Sequence, residues 1–161
     1  DILSSSRENG SFVFDYAVDK TQKKASVYSD SYIYNGKSVG FVNLSDPSFS
    51  SMISSMEYGR ITLVSNNGDR AYDVLVIDEY KSYEVQRVDT YGNNIYCDDF
   101  SGASYVISLE NNTYDVIYNI YNEKGVEVEL ISLRAGDVIS FYESFDKSVY
   151  KIYISNLNNC Q

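Results

Sequence analysis

Apolar and polar residues alternate through most of this chain, and that period limits what it can build. In SFVFDYAVD, Ser11 to Asp19, Phe12, Phe14, Tyr16 and Val18 fall on one face and Asp15 on the other, the pattern of a half-buried strand. KASVYSDSYIYNGKSVGFVNL predicts short strands around Val27 and Ile33, a type I′ hairpin turn at Asn35-Gly36, and a strand through Val39 and Phe41. Beyond residue 70 come AYDVLVIDEY, SYEVQRVD, NIYCDD, SYVISL, TYDVIYNIY, VEVELISL, DVISFYES and SVYKIYIS, separated by Gly, Asn and Asp turn signals. Such short connections leave little room for parallel crossovers, which need about ten or more residues each. The apolar residues agree: 17 Tyr and 7 Phe with no Trp, and otherwise mostly Val and Ile, suit a pleated surface. Tyr83, Tyr105, Tyr118 and Tyr153 all fall in alternating strands, so many tyrosines are expected on a solvent-facing side.

One segment departs from period two. In DPSFSSMISSMEYG, Phe49, Met52, Ile53 and Met56 recur at helical spacing, Asp46 can cap the first turn, Pro47 suits an early helical position, and Gly59 reads as a stop. The expectation is a mainly β, antiparallel fold, a sandwich or OB-like barrel, with one short helix over about 46–58. The helix divides N-terminal strands (1–60) from a C-terminal barrel-like part (61–161). The two parts are expected to form one compact unit belonging to a larger protein.

Charge and chemistry exclude several function classes. With 13 basic against 23 acidic residues the net charge is −10, which repels phosphate backbones and argues against a nucleic-acid partner. No apolar run approaches the roughly 18 to 20 residues that span a bilayer, so membrane insertion is not expected. The chain has no histidine, which removes Ser-His-Asp and Cys-His schemes and most zinc sites. Asp98-Asp99 and Asp78-Glu79 are carboxylate doublets, but neighbours on a strand point to opposite faces and make no catalytic pair by themselves. Cys97 and Cys160 are too few for a disulfide framework. No enzyme activity and no cofactor are expected.

SNNGDRAYDVLVID, Ser65 to Asp78, resembles a calcium loop. Asn67, Gly68, Asp69 and Asp73 stand where calcium loops of integrin-like propeller repeats place their ligands and tight turn, and VLVI supplies the following strand. Ser65 replaces the first carboxylate and Arg70 the second glycine. Asn67, Asp69 and Asp73 are therefore the candidate metal ligands, for weak calcium at roughly 10⁻⁴ to 10⁻³ M. The competing reading is a metal-free hairpin turn in which Arg70 supplies the positive charge.

The stretch from Gly59 to Asp89 also resembles a segment of large surface proteins of clostridia and related bacteria, found near S-layer-homology or copper-amine-oxidase-like modules, and of some phage structural proteins. The resemblance rests on Asn67, Gly68, Asp69, Tyr72, Asp73, Val74, Tyr80 and Val85. It implies a non-catalytic structural, adhesion or assembly module of an extracellular, cell-surface or virion protein. Its partners would be other proteins or other domains of the same polypeptide. A cell-wall glycan-binding module, with Tyr faces as stacking platforms, is the alternative; a two-carboxylate cell-wall hydrolase is a weaker one.

Overall fold

A computed structural model describes residues 2–8, 11–28, 31–39, 53, 55–56, 58–68, 72–110 and 116–155. The fold is mainly β and sandwich-like, as the alternation predicts. The chain forms two units, Asp1–Glu79 and Tyr80–Gln161, and divides further along than the boundary expected near residue 60. The division falls inside one long strand, β7 (Val74–Asp89).

In the first unit β1 (Ile2–Glu8), β2 (Ser11–Val18) and β3 (Thr21–Val27) form an antiparallel meander. The middle of β2 is buried on both faces, since the adjacent Val13 and Phe14 are both buried, while Val18 at its end is exposed. The one-sided burial expected of this strand is thus corrected. β4 (Tyr32–Tyr34) and β5 (Lys37–Val39) form the expected hairpin: Asn35 and Gly36 take φ of 45° and 84°, the paired positive values of a type I′ turn. β6 (Tyr58–Val64) and β4 both pair with β7, and β4 does so in parallel, Tyr32 to Leu75 through Tyr34 to Ile77. Phe14, Val27, Ile53, Leu75 and Ile77 make the core of this unit, with Met56, Ile61 and Leu63 packed against it.

The helix expected over 46–58 lies largely outside the described residues. Ile53 and Ser55, within that span, are helical, and Ile53 is buried. Gly59 lies in β6 and does not cap a helix. A Cβ there would collide with Met56 Cε and stand 2.9 Å from the Asp78 backbone oxygen, so close approach of chain to chain explains the glycine.

In the second unit the C-terminal half of β7 pairs on one side with β8 (Asn94–Asp98), which pairs with β9 (Ser104–Ser108). On the other side come β12 (Val138–Glu143), β13 (Val149–Ser155), β10 (Ile117–Tyr121) and β11 (Glu127–Val128). These sheets are not closed into a barrel, which corrects the OB-like and barrel-like alternatives. Nor is the fold wholly antiparallel, because β10 runs parallel to β13. The chain between those two strands holds β11, a 3-10 turn at Leu130–Ser132 and β12, which is length enough for a parallel crossover. Tyr83, Val85, Ile95, Cys97, Ile107, Ile120, Ile139, Phe141, Ile152 and Ile154 fill the core, with Leu130 from the 3-10 turn and Leu133 just after it.

Candidate functional site

The candidate calcium ligands sit in the connection from β6 to β7. Asp73 closes this loop at its base: its N–H donates to the Val64 carbonyl at 2.8 Å and its Oδ2 accepts the Asn66 N–H at 2.8 Å. Gly68 has φ +69° with open space where a Cβ would stand, so the loop needs it for its turn and not for packing. Asn67 is exposed on the same loop, and Asp69 lies outside the described residues together with Arg70. One of the three candidate ligands is thus engaged as a backbone brace. Among the described residues no group of three or more metal-ligating side chains gathers.

The same use of side-chain oxygens recurs at other turns. Asp89 Oδ1 accepts the N–H groups of Tyr91 and Gly92 at 3.1 and 2.9 Å. Asp99 Oδ1 accepts from Ser101 N–H, the Ser101 hydroxyl and Ala103 N–H at 2.7 to 2.9 Å. Asn122 Oδ1 holds Lys124 and Val126 N–H, and Asp137 Oδ2 holds Arg134 N–H at 2.8 Å. Asp146 Oδ1 accepts the hydroxyls of Ser144 and Ser148 at 2.7 and 2.6 Å. These donors favour the ionised forms: the Ser101 hydroxyl leads in holding Asp99 below the usual carboxylate range, and the Ser148 and Ser144 hydroxyls bring Asp146 to about 2.

The carboxylate doublets are likewise dispersed. Asp78 pairs with Arg60 at 3.1 Å, whereas Glu79 accepts the Tyr34 hydroxyl and gives its N–H to Asn35 Oδ1 at 2.8 Å. Burial leads, with Glu79 beside it, in pushing the Tyr34 phenol well above its ordinary value. Asp99 braces its turn, while Asp98 lies in β8 directly opposite Glu84 of β7. Cys97 is a buried free thiol pushed up to about 11, first by burial and then by Asp98, so it stays protonated and unreactive at neutral pH. Cys160 lies outside the described residues.

Sequence reasoning expected tyrosine faces but missed most members of the constellation that forms, a row of tyrosines across the second unit's sheet. Tyr121 and Tyr153 face one another across the parallel β10–β13 pair, stacked at 5.1 Å with 20° between ring planes. Tyr80 continues the row, 5.9 Å from Tyr153 and 5.6 Å from Tyr142, and Lys151 Nζ lies 5.5 Å from the Tyr142 ring. The chain neighbours Ile120, Ile152 and Phe141 are core residues, so strand alternation puts the row on the opposite face. Of the four strand tyrosines named from the sequence, Tyr153 alone belongs to it; Tyr83 is buried and pairs with Tyr105 at 5.2 Å. A signal was available in IYNIY (117–121) and VYKIY (149–153). These repeat one pattern, and the structure aligns them residue for residue.

Chemically, Tyr80, Tyr121 and Tyr153 form a half-buried apolar strip that ends on the buried Tyr142, with Lys151 and Asn119 paired on the same face. Its rings pack on one another, which fixes their positions but leaves fewer open faces than separate platforms would. No protein-family model matches the chain, and no curated protein matches it.

Proposed function

We propose that this chain is a non-catalytic β-module that serves assembly or adhesion within a larger bacterial surface protein or phage virion protein. The supporting observation is how its oxygen-bearing side chains are used: Asp73, Asp89, Asp99, Asn122, Asp137 and Asp146 all hold backbone N–H groups or hydroxyls at turns. Side-chain oxygens used this way rigidify connections, and a rigid scaffold suits a part that positions others. Its partners on this reading are other proteins or other domains of the same polypeptide, outside the cell or on a particle. The resemblance of Gly59 to Asp89 to surface and phage proteins supports the same setting.

The tyrosine row favours a second reading, a module that binds cell-wall glycan, since aromatic faces stack on sugar rings. Cosedimentation with purified insoluble cell walls tests both, with release of soluble fragments followed in the same tubes. The scaffold reading expects neither retention nor release. Retention of the wild type but not of Tyr80→Ala with Tyr153→Ala would establish glycan binding. Fragment release lost in Asp98→Asn or Asp99→Asn would overturn the non-catalytic reading.

A further inference from the structure

Exposed strand edges offer unpaired backbone groups to any other extended chain, and folded proteins guard them with charges or proline. Among the described residues β1, β3, β5, β6, β9 and β11 each have a neighbouring strand on one side. Five carry charge: Glu8 in β1, Lys23 and Lys24 in β3, Lys37 in β5, Arg60 in β6, Glu127 in β11. β9, Ser-Tyr-Val-Ile-Ser, carries neither charge nor proline. It is also exposed, with Tyr105 at 49% and Val106 at 55% of full accessibility.

The ladder fixes which backbone groups face outward. Leu109 N–H donates to the Asn93 carbonyl and Asp99 N–H to the Ala103 carbonyl, both at 2.8 Å, at the two ends of the β8–β9 pair. Hydrogen-bonded pairs alternate along an antiparallel ladder, so Ile107 with Ile95 and Tyr105 with Cys97 are the bonded pairs between them. The N–H and C=O of Ser104, Val106 and Ser108 therefore point away from β8.

We propose that β9 is a homotypic assembly edge, pairing antiparallel with β9 of a second copy about a two-fold axis at Val106. In this register Val106 meets Val106 of the second copy, and Ser104 meets Ser108. All the outward groups of the strand are then matched. On the other face Tyr105 comes beside Ile107 of the second copy, covering exposed aromatic surface. Charge selects this edge: at a net charge of −10 two copies repel, and β9 joins them without placing carboxylates opposite one another. Glu110, the first charged residue after the strand, falls opposite Gly102. The inference rests on the assembly reading and gives it a site and a partner.

Sedimentation equilibrium at about 0.5 mM, where a small interface is populated, tests it, with reductant present so that cysteine oxidation cannot imitate pairing. The wild type should show a dimer of the 18.3 kDa chain, strengthened by added salt. Val106→Lys and Val106→Asp should each be monomeric with unchanged melting temperature, and an equimolar mixture should dimerise again. Concentration-dependent amide protection at Ser104, Val106 and Ser108 of the wild type checks the pairing without substitution. A monomeric wild type, or a Val106→Lys chain that dimerises as well as the wild type, would overturn the proposal. Neither result bears on retention or turnover with cell walls, which judge the broader reading separately.

Discussion

At the level of single residues, the turns hold the sharpest commitments. Asp146 is depressed to about 2 from 3.8, so its contribution to stability is present above the unfolded value and is lost as pH falls through the folded one. An NMR titration should find its midpoint near 2 in the wild type and shifted upward in Ser148→Ala, which removes the leading donor. A midpoint unchanged by that substitution would show that the hydroxyl is not the cause. Gly59 is a packing commitment instead: Gly59→Ala forces Met56 aside and presses on the immobile Asp78 backbone, and should cost about 1 to 3 kcal/mol in denaturant unfolding. The calcium-like loop turns on Ser65 and Arg70. Melting with calcium and with chelator should show no shift in the wild type and a rise in Ser65→Asp combined with Arg70→Gly, where ligand charge is restored and the competing cation removed. A wild-type melting point that rises with calcium would refute the metal-free turn.

Strands and their pairings show what was legible and what was not. The β4–β5 hairpin could be read directly because Asn35-Gly36 has one favoured turn conformation. The β2–β3 turn carried no such signal, since Asp19 and Lys20 take φ of 47° and 65° without a glycine between them. The parallel β10–β13 pairing escaped because its partners are distant in sequence, although IYNIY and VYKIY share their pattern. Strand content follows from local period, whereas strand neighbours depend on long-range closure that no local pattern encodes. The candidate site divided the same way: Asp73 could be placed in a turn from sequence, but the tyrosine row exists through pairing alone. Register also creates a liability, for Glu84 and Asp98 are direct cross-strand neighbours. Glu84→Lys turns a like-charge pair into an opposite one and should raise stability by about 0.5 kcal/mol, an effect that fades in high salt. A Glu84→Lys chain no more stable than the wild type at low salt would show that the pair is already relieved.

For the whole molecule the dominant fact is charge. A net charge of −10 at pH 7 opposes compaction, and this opposition weakens as pH falls toward the isoelectric point near 4.3. Against it stand Asp99 and Asp146, whose depressed values favour the folded state above the unfolded carboxylate range and withdraw that support below it. At the alkaline end Tyr83 is pushed up to about 12, mainly by burial. A raised folded value supplies stability that is complete below the ordinary tyrosine value of 10 and is lost as pH rises from there toward 12. These three slopes make a dome. Melting temperature should rise as pH falls from 7 to about 5, decline below about 4, and drop again above about 10 together with the tyrosinate absorbance that reports ionisation. Added salt should lift the neutral side of the dome more than the region near pH 5, because only there is much repulsion left to screen. A melting temperature flat in salt at pH 7 would mean that the acidic surface is already balanced locally, by pairs such as Lys24 with Glu8 and Arg60 with Asp78, and that net charge does not set the stability of this fold.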